Sequence, residues 1–306
     1  MKRMDPDPRF RVRVEPGEEG QGAVDNLLKL LDLERLEEDL FRGKSPTVDV
    51  QRVFGGQVAG QALVAAGRTV PDDRNVHSLH SYFLRPGDPN IPIIYEVART
   101  RDGRSFTTRH VEAIQHGKVI FTLSAQFQID EGGSFEHQDV MPDVPNPESL
   151  PRHGDVIKEA VNRERVGTQI DMPRPIDLRY VSTPAWARDA PADARNALWM
   201  KADGRLPDDR LIHICALTYA SDMTLLDASM NRHGLNWSDI VGASLDHAVW
   251  FHRPFRADEW LLYTSTSPSA SSNRGFCVGQ FYSQDGQLVA STAQEGLVRI
   301  DRRIRK

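Results

Sequence analysis

The strongest constraint on this chain is that its sequence reads twice. Phe83-Leu84-Arg85-Pro86 is echoed by Phe251-His252-Arg253-Pro254, Arg104-Ser105-Phe106 by Arg274-Gly275-Phe276, and Gln115-His116-Gly117 by Gln284-Asp285-Gly286. A fourth echo pairs Phe54-Gly55-Gly56-Gln57 with Tyr219-Ala220-Ser221-Asp222. The offsets are 168, 170, 169 and 165 residues, in preserved order. Self-similarity at a near-constant interval marks a repeated structural unit. The 306 residues are therefore expected to form two copies of one module.

Within the first copy, Val24, Leu27, Leu28, Leu31, Leu36 and Leu40 recur at helix spacing, which predicts a helix over Val24–Leu40 stopped by Gly43. A second helix is expected over Gln57–Arg68; it is Ala-rich and almost without charge, the pattern of a helix buried on every side. The period then changes to two, so Ile91–Arg99, Phe106–Ile114 and Val119–Ile129 read as strands, with turns at Asp102-Gly103 and Gln115-His116-Gly117. Prolines 142, 145, 147, 151, 173 and 175 interrupt the pattern and predict a connection with a short helix near Val156–Arg163. An all-round apolar helix has to be wrapped, and a curved sheet does this economically. The expected fold class is α+β, a double hotdog: two tandem repeats, each with a long buried helix wrapped by a curved antiparallel sheet. The expected divisions are a loose arm over residues 1–20, an N-terminal hotdog over 21–130, a Pro-rich connection over 131–175, and a C-terminal hotdog over 176–306 carrying the reactive residues.

A net charge of −5 and a pI near 6.1 argue against a nucleic-acid partner or an anionic lipid surface. The apolar stretches Val58–Ala66 and Leu211–Ala220 are too short to span a bilayer, which takes about 20 residues. Met1-Lys2-Arg3-Met4-Asp5-Pro6 has no apolar run behind it, Arg305-Lys306 is no peroxisomal address, and Cys215 and Cys277 are too few for a disulfide framework. A cytoplasmic protein is expected, for which the sequon Asn236-Trp237-Ser238 has no meaning. Gly242-Ala243-Ser244-Leu245-Asp246 lacks the second glycine of a nucleophile elbow, and Gly55, Gly56 and Gly60 do not fit the dinucleotide spacing. His77 and His80 stand three apart ahead of a strand, which sets them on opposite faces. No metal and no cofactor is expected.

Three polar residues occupy places that the pattern gives to other residue types. In the segment Gln287–Ile300, Gln294 shares a face with Leu288, Ala290, Thr292, Val298 and Ile300, and its counterpart in the first copy is Ala125. Asp222 is expected at the start of the second buried helix, with Gln57 as counterpart, and Ser244 at a strand entry, matching Val76. Each has an ordinary alternative: a core amide bonded to backbone, a helix N-cap, a turn serine. Together they polarise one copy only. A carboxylate, a hydroxyl and an amide can hold and deprotonate a water, and a backbone N–H at a helix terminus can carry an oxyanion.

Phe54-Gly55-Gly56-Gln57-Val58-Ala59-Gly60-Gln61-Ala62, the run Val76 to Gly87, Arg101-Asp102-Gly103-Arg104-Ser105-Phe106, Tyr219-Ala220-Ser221-Asp222, the run Leu245 to Phe255 and Ala293-Gln294-Glu295-Gly296 resemble the type II acyl-CoA thioesterases. The resemblance implies hydrolysis of acyl-CoA to a free fatty acid and coenzyme A through a water activated by Asp222, Ser244 and Gln294. It implies substrate contacts at Gly56, Gln57 and His77, with His77 also read as a support for the fold or channel. A homodimer or larger homo-oligomer is expected. An enoyl-CoA hydratase on the same architecture, or a non-catalytic acyl-CoA-binding module, remains open at this stage.

Overall fold

The computed structural model describes residues 9, 11–47, 50–159, 173–184, 187, 195–235, 237 and 239–301. Asn236 and Ser238 of the sequon, the basic tail, and the far part of the helix expected near Val156–Arg163 lie outside these residues. The near part is helix α3 (His153–Glu159).

Helix α1 spans Gly20–Leu31, shorter than the expected Val24–Leu40. Asp32 ends it, its N–H bonded to Leu28 O at 2.9 Å. The residues expected to continue it form a hairpin instead: β2 (Glu34–Glu37) against β3 (Leu40–Gly43). Leu36 is exposed there, so the apolar stripe that suggested a longer helix is not one face of anything. Within the first twenty residues, β1 (Arg11–Val12) pairs in parallel with β4 (Ser45–Pro46), and Val12 and Val14 pack on Leu30 of α1.

Helix α2 (Gly55–Gly67) is the central helix of the first half, and every residue from Gly56 to Ala66 is buried. Around it run β5 (Arg74–Phe83), β6 (Ile93–Asp102), β7 (Phe106–Gln115) and β8 (Lys118–Ile129). The β7–β8 hairpin turns through His116 and Gly117, both at positive φ (50° and 68°), the left-handed conformations such a tight turn demands. The second half contains β9 (Ile176–Tyr180), β10 (Arg195–Ala202), α4 (Arg210–Ser221), α5 (Asp227–Asn231), β11 (Ile240–Ser244), β12 (Asp246–Phe251), β13 (Leu261–Ser271), β14 (Arg274–Ser283) and β15 (Leu288–Ile300).

The first half orders its strands β2-β3-β6-β7-β8-β5, and the second orders its own β9-β10-β13-β14-β15-β12, the same path with β11 added beside β15. β5 and β12 pair antiparallel, Tyr82 opposite Asp246 and Ser78 opposite Trp250, so the halves share one 13-stranded sheet. The duplication is thus real in the strands. It fails for the fourth echo: Phe54-Gly55-Gly56-Gln57 opens α2, whereas Tyr219-Ala220-Ser221-Asp222 closes α4. Asp209 caps the start of α4 by accepting from Leu211 N and Ile212 N, and Asp222 is the C-cap.

The prolines of residues 142–151 do not simply bridge the halves. Met141, Val144 and Leu150 cover Trp199, Trp260, Leu262 and Tyr282 on the far face of the second sheet. Trp199 Nε1 donates to Pro145 O at 2.9 Å and Trp260 Nε1 to Glu148 Oε1 at 2.8 Å.

One buried amide ties α2 to its surroundings. Gln61 Nε2 donates to Leu30 O (2.6 Å) and Lys44 O (2.8 Å), and its Oε1 accepts from Tyr95 Oη (2.7 Å). Gln61→Leu keeps the volume but takes the Gln61 partner from Leu30 O and Tyr95 Oη in the interior, while Lys44 O keeps the Gln57 amide, so a loss of about 2–4 kcal/mol is expected in urea melts.

Candidate active site

α2 and α4 lie against each other through glycines. A Cβ on Gly56 would come within 2.4 Å of Tyr219 O, and one on Gly67 within 2.6 Å of Leu211 Cδ2. This approach brings the C-cap of α4 to the first turn of α2. A Cβ on Gly55 would meet Asp222 Oδ2 at 2.7 Å, and the Gly56 N–H donates to the Asp222 carboxylate. Asp222 is therefore at the unfavourable end of its own helix and the favourable end of the neighbouring one.

Two strands deliver the other groups. Ser244 ends β11 beside Gly296, and Gln294 lies inward on β15. Gln294 Nε2 donates to Asp222 Oδ1 and to Ser244 Oγ, each at 2.7 Å, and Ser244 Oγ donates to Asp222 Oδ1 at 3.2 Å. The three residues thus close a triangle across intervals of 22, 50 and 72 positions. Burial raises the Asp222 pKa to about 6, although the donors Gln294, Ser244 and Gly56 all pull the other way.

Behind the triangle is a second layer, to which the sequence motifs assign no role. His247 Nδ1 is 3.2 Å from Gln294 Oε1, and its Nε2 is 2.8 Å from Ser221 Oγ. Both side chains are fully buried, and burial lowers the His247 pKa to about 4, so the ring is neutral. Their signal in the sequence is weak: His247 sits at an inward position of β12, where Leu79 stands in β5.

Asp222 and Ser244 line a groove of 1810 Å³ between the halves, whose apolar wall includes Leu27, Phe83, Ile120 and Met223. Gly55 and Gln57 border it as well. The Gln57 side chain is turned to structural use, its Nε2 donating to Lys44 O at 3.0 Å and Ser45 Oγ at 3.3 Å. His77 is not brought to the site. It lines a separate cleft of 230 Å³ with Arg210 and His252, its ring edge-on to Phe106. Among the described residues, no group of three or more His, Cys, Asp and Glu is arranged to hold a metal.

The fold is a double hotdog in which half-buried Asp222 and Ser244, on the wall of a groove, meet a buried Gln294. The model for the acyl-CoA thioesterase family matches residues 176–297, and that for the acyl-CoA thioesterase N-terminal domain matches residues 42–128. Acyl-CoA thioesterase 2 of Haemophilus influenzae is 40% identical over 282 residues, covering 90% of this chain and 98% of that protein. Acyl-coenzyme A thioesterase 8 of Rattus norvegicus is 41% identical over 285 residues, covering 90% of this chain and 89% of that protein. The crystal structure of acyl-CoA thioesterase II TesB2 from Mycobacterium marinum superposes with a TM-score of 0.75 at 44% identity, covering 90% of this chain and 99% of that one. This chain belongs to the acyl-CoA thioesterase family.

The triangle makes a prediction independent of turnover. In protein labelled with ¹³C at aspartate carboxyls, one carboxyl is expected to titrate near pH 6. Ser244→Ala and Gln294→Ala each remove a donor that favours the ionised form, so each is expected to move that midpoint upward.

Proposed function

We propose that this chain hydrolyses fatty acyl-CoA through one water held at the Asp222–Ser244–Gln294 triangle, with no covalent intermediate. Family membership makes it a thioester hydrolase; what the proposal adds is the residue roles. The observation that supports them is the triangle itself, set at the groove wall around a carboxylate with a pKa of about 6. Such a group is ionised at neutral pH and still basic enough to take a proton.

The acyl chain lies along the apolar wall of the groove and the thioester carbonyl sits at the first turn of α2, where the Gly55 and Gln57 N–H groups meet the developing oxyanion. Asp222 takes a proton from the water as its oxygen bonds to the carbonyl carbon. Ser244 and Gln294 hold the carboxylate in place and orient the water. When the tetrahedral species collapses, the carbon–sulfur bond breaks and the proton on Asp222 passes to the departing sulfur, giving a carboxylic acid and the coenzyme A thiol. Arg11, Arg52 and Arg85 line the groove and supply positive charge for the nucleotide phosphates. His77, in its separate cleft, acts in this reading as a support for the fold.

A hydratase reading would want a His facing substrate beside the Asp. His247 stands behind Gln294, fully buried, which favours hydrolysis. A homo-oligomer would cover Tyr82, which is 60% exposed on the central strand β5. No helix among the described residues is long and apolar enough to cross a membrane. The cytosol is the compartment we assign, since Cys215 and Cys277 are both unpaired thiols.

Thiol release from a panel of acyl-CoAs, followed with a thiol-reactive dye, tests the roles. Asp222→Ala is expected to lower kcat about 10²–10⁴-fold with an unchanged thermal melt, and wild-type turnover in that variant overturns the assignment. Ser244→Thr keeps a hydroxyl and is expected to keep most activity, unlike Ser244→Ala. For the wild type, kcat/KM is expected to be level above the Asp222 pKa of about 6 and to fall tenfold per pH unit below it, because protonation removes the base.

A further inference from the structure

The orientation of the Gln294 amide is set from two sides. A primary amide is nearly symmetric in shape, and turning it over would place Oε1 where Nε2 stands, 2.7 Å from both Asp222 Oδ1 and Ser244 Oγ. A carbonyl oxygen facing an ionised carboxylate is repelled, and the site would lose two donors at once. The carboxylate opposes that turn while it is ionised; once it has taken a proton, a donor to the carbonyl on the other side of the amide is what still opposes it.

We propose that His247, backed by Ser221, is a positioning residue whose Nδ1–H holds the Gln294 carbonyl and so keeps the Gln294 NH2 group turned toward Asp222 and Ser244. The inference rests on the water-holding reading of those three residues given above. The contacts form a directed chain. A neutral imidazole carries one N–H. Ser221 Oγ, 2.8 Å from His247 Nε2, donates its single proton there, which leaves the ring proton on Nδ1, 3.2 Å from Gln294 Oε1. The other arrangement has Ser221 donating to Thr218 O, 3.0 Å away, and accepting from Nε2–H. Nδ1 is then bare, it attracts the Gln294 NH2 group, and the amide carbonyl is left against the carboxylate. An ionised Asp222 selects the first arrangement over the second.

The duplication shows that this layer is not needed to build the fold. The echo of Phe83–Pro86 in Phe251–Pro254 is offset by 168 residues, which sets His247 of β12 at the place of Leu79 in β5. Leu79 pairs with Ala125 in the first half, and the position one step beyond the Ala248–Ala293 pair in the second is Gln294. The last residue and C-cap of α4, Ser221 and Asp222, correspond to Gly67 and Arg68 of α2. The first copy therefore folds with Gly67, Leu79 and Ala125 where the second has Ser221, His247 and Gln294, all three of them buried. Polar groups in an interior cost free energy unless they are fully paired. Their presence in one copy only, in line with the carboxylate, marks them as part of its machinery.

The test uses His247→Leu, which installs the residue of the first copy, and His247→Asn, whose side-chain NH2 can stand in for Nδ1–H. With saturating acyl-CoA, His247→Leu is expected to lower kcat at least about tenfold while KM stays within about threefold, and His247→Asn to recover the greater part of the loss. In a Gln294→Ala background, adding His247→Leu is expected to change kcat less than about twofold, since its effect runs through Gln294. Equal losses in both backgrounds, or equal losses for Leu and Asn, overturn the proposal. Wild-type kcat in Gln294→Ala alone overturns the water-holding reading instead. Whether or not the variants fold, ¹⁵N spectra of the wild-type histidines at pH 8 decide the tautomer: His247 protonated on Nδ1 is expected, and protonation on Nε2 overturns the proposal.

Discussion

The close approach of α2 and α4 is what the site depends on. Two helices normally stand 8–10 Å apart, a distance set by their side chains, and here glycines at 56, 60 and 67 remove those side chains along the contact. Without them the C-cap of α4 would not reach the first turn of α2, and the Asp222 carboxylate would lose the Gly56 N–H. The same contact lets two curved sheets close on a shared helical layer and join edge to edge at β5 and β12. Fold and site therefore follow from one packing arrangement.

At that contact the electrostatic balance is a compromise. Burial acts first on Asp222 and raises its pKa, while three donors, two from strands and one from a helix N-terminus, restrain the rise. A fully solvated carboxylate is a weak base, and a buried one without donors stays protonated at neutral pH. A value near 6 lies between the two. The neutral ring of His247 behind Gln294 adds no competing charge.

Duplication supplies the internal control. Both halves wrap a helix with the same strand order, and only the second carries Asp222 and Ser244 on the groove, with Gln294, His247 and Ser221 behind them. The helix C-cap matching Asp222 is Arg68, whose guanidinium donates to Leu33 O at 2.6 Å and pairs with Asp32 at 2.8 Å, a holding role for the backbone after α1. At Leu79 and Ala125 the first copy keeps apolar side chains, where the second buries His247 and Gln294, polarity that costs stability unless every group is paired.

The sequence by itself determined the class of fold and the family to which the chain belongs. Strand periodicity and ordered echoes are local and survive without coordinates, as does the inward position of Gln294 among apolar neighbours. The resemblance then picked out Asp222, Ser244 and Gln294 from positions 22, 50 and 72 apart. Two elements misled it. The stripe Leu31, Leu36, Leu40 looked helical because periodicity cannot distinguish a helix end from a hairpin carrying an exposed Leu36. Asp222 looked like an N-cap because an Asp before a polar turn reads alike at either end of a helix. Only the tertiary structure decided that Asp222 ends α4 and faces the start of α2, that His77 belongs to another cleft, and that His247 stands behind Gln294. Those facts depend on which elements touch, and the glycines that permit the contact carry no side-chain pattern from which it could be read.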